Sequence, residues 1–236
     1  MRVVYSDNIN PGDVICCGDI HGRLDLLDAF LDSVMGTQAT VILLGDLIDR
    51  GPEDLGVLWR VEKLLKEPEA WGLEAAYALR GNHEQMYLDA CEGYDMGTWA
   101  SNGGKYWQID QLSQHSGWIR NLPIYMVVGD TLFTHAGTWP GVDPAESIAS
   151  GRVDGLVWLR EPFMTVGPQL KKWTNKIKRV VHGHTPFFEK HLRGQVNVSC
   201  KGDRIGIDTG AFFTGVLTSY NSTQNTFTQH TVQTDA

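Results

Sequence analysis

Histidines, carboxylates, one asparagine and one arginine gather in five short segments of this chain. These are Asp19-Ile20-His21-Gly22, Gly45-Asp46-Leu47-Ile48-Asp49-Arg50-Gly51, Gly81-Asn82-His83-Glu84, Thr134-His135-Ala136-Gly137 and Val181-His182-Gly183-His184-Thr185-Pro186. Asp19 and His21 are two residues apart, so they point the same way where the backbone is still extended. Mixed oxygen and nitrogen donors suit Mn2+, Fe or Zn2+, whereas Ca2+ takes oxygens alone. One carboxylate such as Asp46 can bridge two ions through its two oxygens, and Asn82, His135 and His184 would complete the second ion. Ligands spread along the chain around one bridging carboxylate imply two divalent ions.

Two close ions clamp a phosphate and lower the pKa of a shared water from about 16 toward about 7, which makes hydroxide available for in-line attack on phosphorus. The departing alkoxide then needs a proton. His83 can supply it if Asp49 holds the other ring nitrogen in the right tautomer. Arg50, Arg80 and Arg160 lie beside the motifs and can fork onto phosphate oxygens.

Each fragment alone has a blander meaning. An isolated Asp-x-His is ordinarily a turn followed by a surface or capping residue. Asp25, Asp28 and Asp32 make a solvated helix face, and tryptophans such as Trp99, Trp107 and Trp118 read as core and loop packing. His115, His191 and His230 have no partner in the sequence and take no role. His21, His83, His135 and His184 gain their weight by arriving together, in order.

The elements that must position these segments are short. Val14–Cys17, Val41–Leu44 and Tyr77–Leu79 read as strands; Leu24, Leu27, Leu31 and Val34 share a helical face between the first two, and a second helix is predicted from Glu53 to Lys66 behind Pro52. This alternation implies parallel pairing with right-handed crossovers. Ile124–Val128 and Thr131–Thr134 flank Gly129-Asp130 as a hairpin. Val196–Ser199, Arg204–Ile207, Gly215–Tyr220 and Thr226–Val232 read as antiparallel strands. The expected class is α/β (α+β), two packed mixed sheets with helices outside, in a single domain over residues 1–236. Four of the five segments begin where an apolar run ends, and carboxyl ends of strands are where open α/β sheets bind ligands.

A formal charge of −8 argues against a broad nucleic-acid surface, although a local pocket of metals and arginines can still take an anion. The first seven residues lack the apolar run of a signal peptide, and no stretch reaches the about 20 apolar residues of a membrane span. Cys16 and Cys17 read as buried strand thiols and Cys91 and Cys200 stand alone, so neither a disulfide framework nor a cysteine zinc site is expected. The cytoplasm is the expected compartment.

The ordered set Gly-Asp-Ile-His-Gly, Gly-Asp-Leu-Ile-Asp-Arg-Gly, Arg-Gly-Asn-His-Glu, Thr-His-Ala-Gly and Gly-His-Thr-Pro resembles the phosphoprotein phosphatases among the calcineurin-like metallophosphoesterases, nearest to the bacteriophage-lambda type. Arg80–Tyr87, Val157–Glu161 and Ile207–Phe213 extend the likeness, which spans roughly residues 12–220. The resemblance implies a four-layer-like β-sandwich flanked by helices, activated by two divalent ions, Mn2+ first, with phosphorylated proteins or peptides as substrates. Carried over, Asp19 and His21 bind the first ion, Asp46 bridges, and Asn82, His135 and His184 bind the second. His83 resembles the general acid with Asp49 as its partner, and Arg50, Arg80 and Arg160 the phosphate-holding arginines. Two features depart from the pattern. His182 stands where the lambda type has an apolar residue, and the Gly-His-Thr-Pro register leaves it in the second shell or as a bystander; the Ser-Ala-Pro-Asn-Tyr-Cys segment of eukaryotic members is missing. The alternatives are a dinucleoside polyphosphate hydrolase, a branch that usually carries Ala where this chain has Asp49, and a non-catalytic phosphopeptide-binding module. The segment from Gly93 to Gly117, with Asn102-Gly103-Gly104 and several aromatics, is a candidate for shaping the substrate entrance.

Overall fold

Alternating apolar residues decide the layering. In the computed structural model, which describes residues 4–6, 12–152, 154–173 and 176–232, eleven strands form two sheets. The outermost residues of the single domain expected over 1–236 lie outside the described residues. The strands are β1 (Val4–Ser6), β2 (Val14–Cys17), β3 (Thr40–Leu43), β4 (Ala75–Ala78), β5 (Tyr125–Val128), β6 (Thr131–Thr134), β7 (Arg179–His182), β8 (Asn197–Val198), β9 (Arg204–Gly206), β10 (Leu217–Asn221) and β11 (Thr226–His230). One sheet runs β1-β5-β6-β7-β9-β8 and the other β11-β10-β2-β3-β4.

Val14, Cys16, Ile42, Leu44 and Leu79 of the second sheet meet Met126, Phe133, Val181, Ile205 and Ile207 of the first in a dry layer between the sheets. Their neighbours Cys17, Val41 and Leu43 turn the opposite way, toward α1 (Leu24–Val34) and α2 (Asp54–Lys66). Leu132 and Val180 likewise face outward, onto Leu156, Phe163 and Trp173. The period-two alternation thus builds the four layers expected, with helical segments on both outer faces. Cys16 and Cys17 are buried, and burial raises both thiol pKa values.

β2, β3 and β4 are parallel and in register, with Cys17 beside Leu43 and Leu43 beside Ala78, so their carboxyl ends share one edge. β6 and β7 are parallel as well, with Thr134 beside His182. Here the sequence expectation needs correction. The second-half strands are antiparallel at β5/β6, β8/β9 and β10/β11, but β7 lies parallel to both β6 and β9. The long crossover between Thr134 and Arg179 brings the chain back in the same direction, and no local turn pattern reports that. β10, moreover, crosses to join the first-half strands beside β2, and β1 pairs with β5, a strand the sequence reading lacked. β4 begins two residues earlier than expected and β7 runs through His182. Among the described residues no helix is long and apolar enough to cross a membrane.

Candidate metal centre

The carboxyl edges of both sheets feed one place. Asp19, Asp46 and Asn82 follow β2, β3 and β4; His135 and His184 follow β6 and β7. The loops are tied to one another through the backbone. The Ile20 and His21 amides donate to the Asp46 carbonyl at 3.0 and 2.8 Å, and Gly183 N–H donates to the His135 carbonyl at 2.8 Å. Glu84 gathers a third loop: its buried carboxylate accepts from the amides of Gly81 (2.8 Å), Asp46 (2.9 Å) and Leu47 (2.8 Å). Close approach needs missing side chains. A Cβ on Gly183 would lie 2.0 Å from Asp19 Oδ1, and one on Gly81 would lie 2.2 Å from Asp46 Oδ1.

Five side-chain-bearing residues of the site, His21, Asp46, Asp49, Arg50 and His184, hold φ between 48 and 71°. Left-handed backbone costs a non-glycine residue of order 1–3 kcal/mol, and such conformations concentrate where a side chain must be aimed.

Two donor groups share Asp46. His21, Asp46 and His83 form one and Asp46, His135 and His184 the other, with ligand atoms in each within 4.8 Å of one another. Each flanking imidazole has its tautomer fixed from behind. His21 Nδ1–H donates to the Ile48 carbonyl at 3.0 Å, His135 Nδ1–H to Leu44 at 2.9 Å, and His184 Nε2–H to Trp158 at 3.1 Å. The free lone pairs therefore point inward. His135 Nε2 lies 3.2 Å from His184 Nδ1, 2.9 Å from Asn82 Oδ1 and 3.3 Å from Asp46 Oδ1. Four acceptors face each other with no hydrogen between them, an arrangement that a cation relieves. At His21 the cationic partner is Arg50, whose Nη1 donates to Nε2 at 2.8 Å.

The charges agree. Burial drives the pKa values of His21, His135 and His184 down, so all three favour the neutral form that a metal ligand needs. Burial opposes ionisation of Asp46, yet its pKa is lowered by the surrounding histidines, His135 and His83 first; with His135 favouring its neutral form, His83 is the cationic ring beside it. Burial and the neighbouring Asp208 and Asp46 push Asp19 upward. Asp19 belongs to neither three-residue group, and both its oxygens accept from His184 N–H at 3.1 Å. Three buried carboxylates this close leave negative charge that divalent ions would offset. The chemistry of these nitrogen and oxygen donors suits divalent ions.

His83 is different. Its Nδ1–H donates to Asp49 Oδ2 at 2.7 Å, and its buried Nε2 has no hydrogen-bond partner and lies 3.9 Å from Asp46 Oδ2. Burial lowers its basicity, but the charges of Asp46 and Asp49 outweigh that, and the net pKa is raised. A protonated imidazole with one nitrogen held and the other unengaged can deliver a proton.

Arg50 and Arg160 are exposed at this centre. Arg160 donates to the His184 carbonyl at 3.1 Å, and Asp19, Asp208 and Asp46 are among the charges acting on it. Arg80 is buried with Nε unpaired, and the charges acting on it are those of Glu84, Arg120 and Asp89. His182 lies in neither donor group. Its Nδ1–H donates to Gly183 O at 2.8 Å, its ring packs edge-on to Phe163, and burial lowers its pKa to about 3.

Three residues of the site escaped the sequence reading. Trp99, expected only to pack, donates Nε1–H to both oxygens of Asp49 at 3.0 and 3.1 Å. Asp54 accepts from Asp49 N–H at 2.9 Å and from Lys105 at 3.1 Å. Asp208, raised to about 6 chiefly by burial, is among the charges acting on Asp19. Only Asp208 had a signal, since it lies in the Ile-Asp-Thr-Gly stretch that supported the resemblance.

The pattern of the calcineurin-like phosphoesterases matches residues 12–207. A serine/threonine-protein phosphatase 1 of Salmonella typhimurium is 31% identical over 85% of this chain and 88% of its own length. A symmetrical bis(5'-nucleosyl)-tetraphosphatase of Janthinobacterium sp. is 27% identical over 78% of this chain and 61% of its own. Among solved structures, a candidate diadenosine tetraphosphatase superposes with a TM-score of 0.68 at 20% identity, covering 98% of this chain and 99% of that one, a likeness of fold alone.

Proposed function

The chain belongs to the calcineurin-like phosphoesterase family, and we propose that within it the protein is a Ser/Thr phosphoprotein phosphatase that uses two divalent ions, Mn2+ foremost. The ions supply positive charge for the phosphoryl oxygens and a water nucleophile available at neutral pH. Asp19, His21, Asp46, Asn82, His135 and His184 would hold them, Asp46 being shared between the two donor groups. Arg50 and Arg160 take the outward phosphoryl oxygens through their fork of N–H donors, and Arg80 is the third phosphate-holding arginine of this reading. His83, set by Asp49, gives its Nε2 proton to the departing serine or threonine oxygen.

The Asp49–His83 pair carries this reading. A seryl or threonyl alkoxide is a poor leaving group and cannot depart without a proton, whereas a nucleotide leaving from a polyphosphate carries its negative charge on phosphate and needs none. A buried dyad with a raised histidine pKa suits the first task. The tetraphosphatase relative keeps dinucleoside polyphosphate hydrolysis as the second reading. Initial rates on a phosphothreonine peptide and on diadenosine tetraphosphate, both with Mn2+, separate the two. The peptide is expected to be cleaved faster, and much faster cleavage of the nucleotide reverses the ranking.

A further inference from the structure

A line of aromatic rings leaves the centre at His21. Phe212 meets the His21 ring edge-on at 5.3 Å, Phe213 meets Phe212 at 4.8 Å, and Phe188 lies nearly parallel to Phe213 at 6.0 Å. Two guanidiniums cover the rings: Arg50 over Phe212 at 4.9 Å and Arg193 over Phe213 at 5.5 Å. Arg193 is anchored there by its Nε–H to the Phe188 carbonyl at 3.1 Å. Phe212 and Phe213 are half-buried and Phe188 is 60% exposed. The ledge is thus continuous with the proposed phosphate site at one end and open to solvent at the other.

We propose that Phe212, Phe213 and Phe188, with Arg193, form a subsite for the peptide segment flanking the phosphorylated residue, and that this subsite selects apolar or aromatic side chains. The inference rests on the phosphoprotein reading above. The centroid steps add up to a run comparable with three to five residues of extended chain at about 3.3 Å each. A substrate whose phosphate lies at the centre therefore has flanking side chains within reach of the rings. A nucleobase is favoured less, because stacking needs an open flat face. Phe212 and Phe213 each have a face under a guanidinium and neighbours set edge-on or stacked. Phe188 alone is widely exposed, with one face against Phe213, so what the ledge offers is ring edges and one open ring, against which apolar side chains can pack.

The test uses phosphothreonine heptapeptides: an alanine host and six versions with one Phe placed in turn at each flanking position. Rates are measured with Mn2+ on the unaltered protein, Phe188→Ala and Phe213→Ala. One or two positions should raise kcat/KM about fivefold to tenfold, through KM, as expected for burying part of an aromatic ring. Either variant should bring that gain back toward the host rate. Phe188 is exposed enough for its replacement to leave folding intact, which covers a Phe213 variant that misfolds. Peptides cleaved with a flat series, or a gain that survives both substitutions, overturn the subsite alone. A Phe188→Ala protein that loses more diadenosine tetraphosphate than peptide hydrolysis assigns the ledge to a base, which also overturns it. Unaltered protein that cleaves the tetraphosphate and none of the peptides removes the phosphoprotein reading, and the subsite with it.

Discussion

At the scale of single residues, the Asp49–His83–Trp99 chain makes the sharpest claims. His83→Asn removes the proton donor but none of the six proposed ligands. Turnover on a phosphothreonine peptide should fall by about 10²–10⁴, while 4-nitrophenyl phosphate, whose leaving group needs no proton, falls far less. Metal content measured on the purified variant should be unchanged; equal losses on both substrates would remove His83 from the proposed step. Trp99→Phe keeps a ring but loses the N–H that both Asp49 oxygens accept. The same leaving-group bias is expected, in smaller measure. A pH profile gives an independent check. Asp46 and the Asp49 hydrogen bond both raise the His83 pKa; with Asp46 engaged by ions the Asp49 contact is the part that remains, and activity on the peptide should decline as pH rises through the resulting value. Asp49→Asn removes one of the raising charges, so the declining limb should move to lower pH. A limb that stays put assigns it to another group.

At the scale of elements, the loops after β2, β3, β4, β6 and β7 are held so closely that a single methyl can separate them. Gly183→Ala would set a Cβ 2.0 Å from Asp19 Oδ1. Metal affinity should drop about 10–100-fold, as when an outer partner of a ligand is disturbed, with the far-ultraviolet dichroism spectrum retained. Unaltered affinity would mean that Asp19 is free to move aside. This scale also shows what could be read in advance. The polar segments at the ends of apolar runs were legible because a ligand set and strand periodicity are both local patterns. Trp99 was not, because its partner lies 50 residues away and nothing in Thr98-Trp99-Ala100 distinguishes an indole that donates from one that packs. The parallel placement of β7 beside β6 was hidden for a similar reason, since a long crossover carries no turn signature. Glu84 sat in plain view within a quoted motif, yet two of its three backbone acceptances depend on the distant Asp46-Leu47 loop meeting the turn at Gly81.

At the scale of the whole molecule, ions held only by the folded chain must add to its stability. At a free concentration of about 100 times Kd, that linkage is worth about 2.7 kcal/mol. For a chain of this size it corresponds to a rise in Tm of roughly 5–11 °C. Thermal scans with a chelator and after Mn2+ is restored should show that rise, and Asp46→Asn, which strips the shared carboxylate, should abolish most of it. An identical Tm in both conditions would contradict a pair of ions in this centre.

The proposed ligands are drawn from both halves of the sandwich: Asp19, His21, Asp46 and Asn82 from the β2-β3-β4 edge, His135 and His184 from the β6-β7 edge. Such a centre acts as a rivet through two plates. A substitution deep in the layer between the plates, such as Phe133→Ala, removes no ligand, yet it permits the plates to slip by a fraction of an ångström. Grip on the ions therefore weakens well before the chain melts, and enzymatic output becomes an early gauge of damage far from the chemistry.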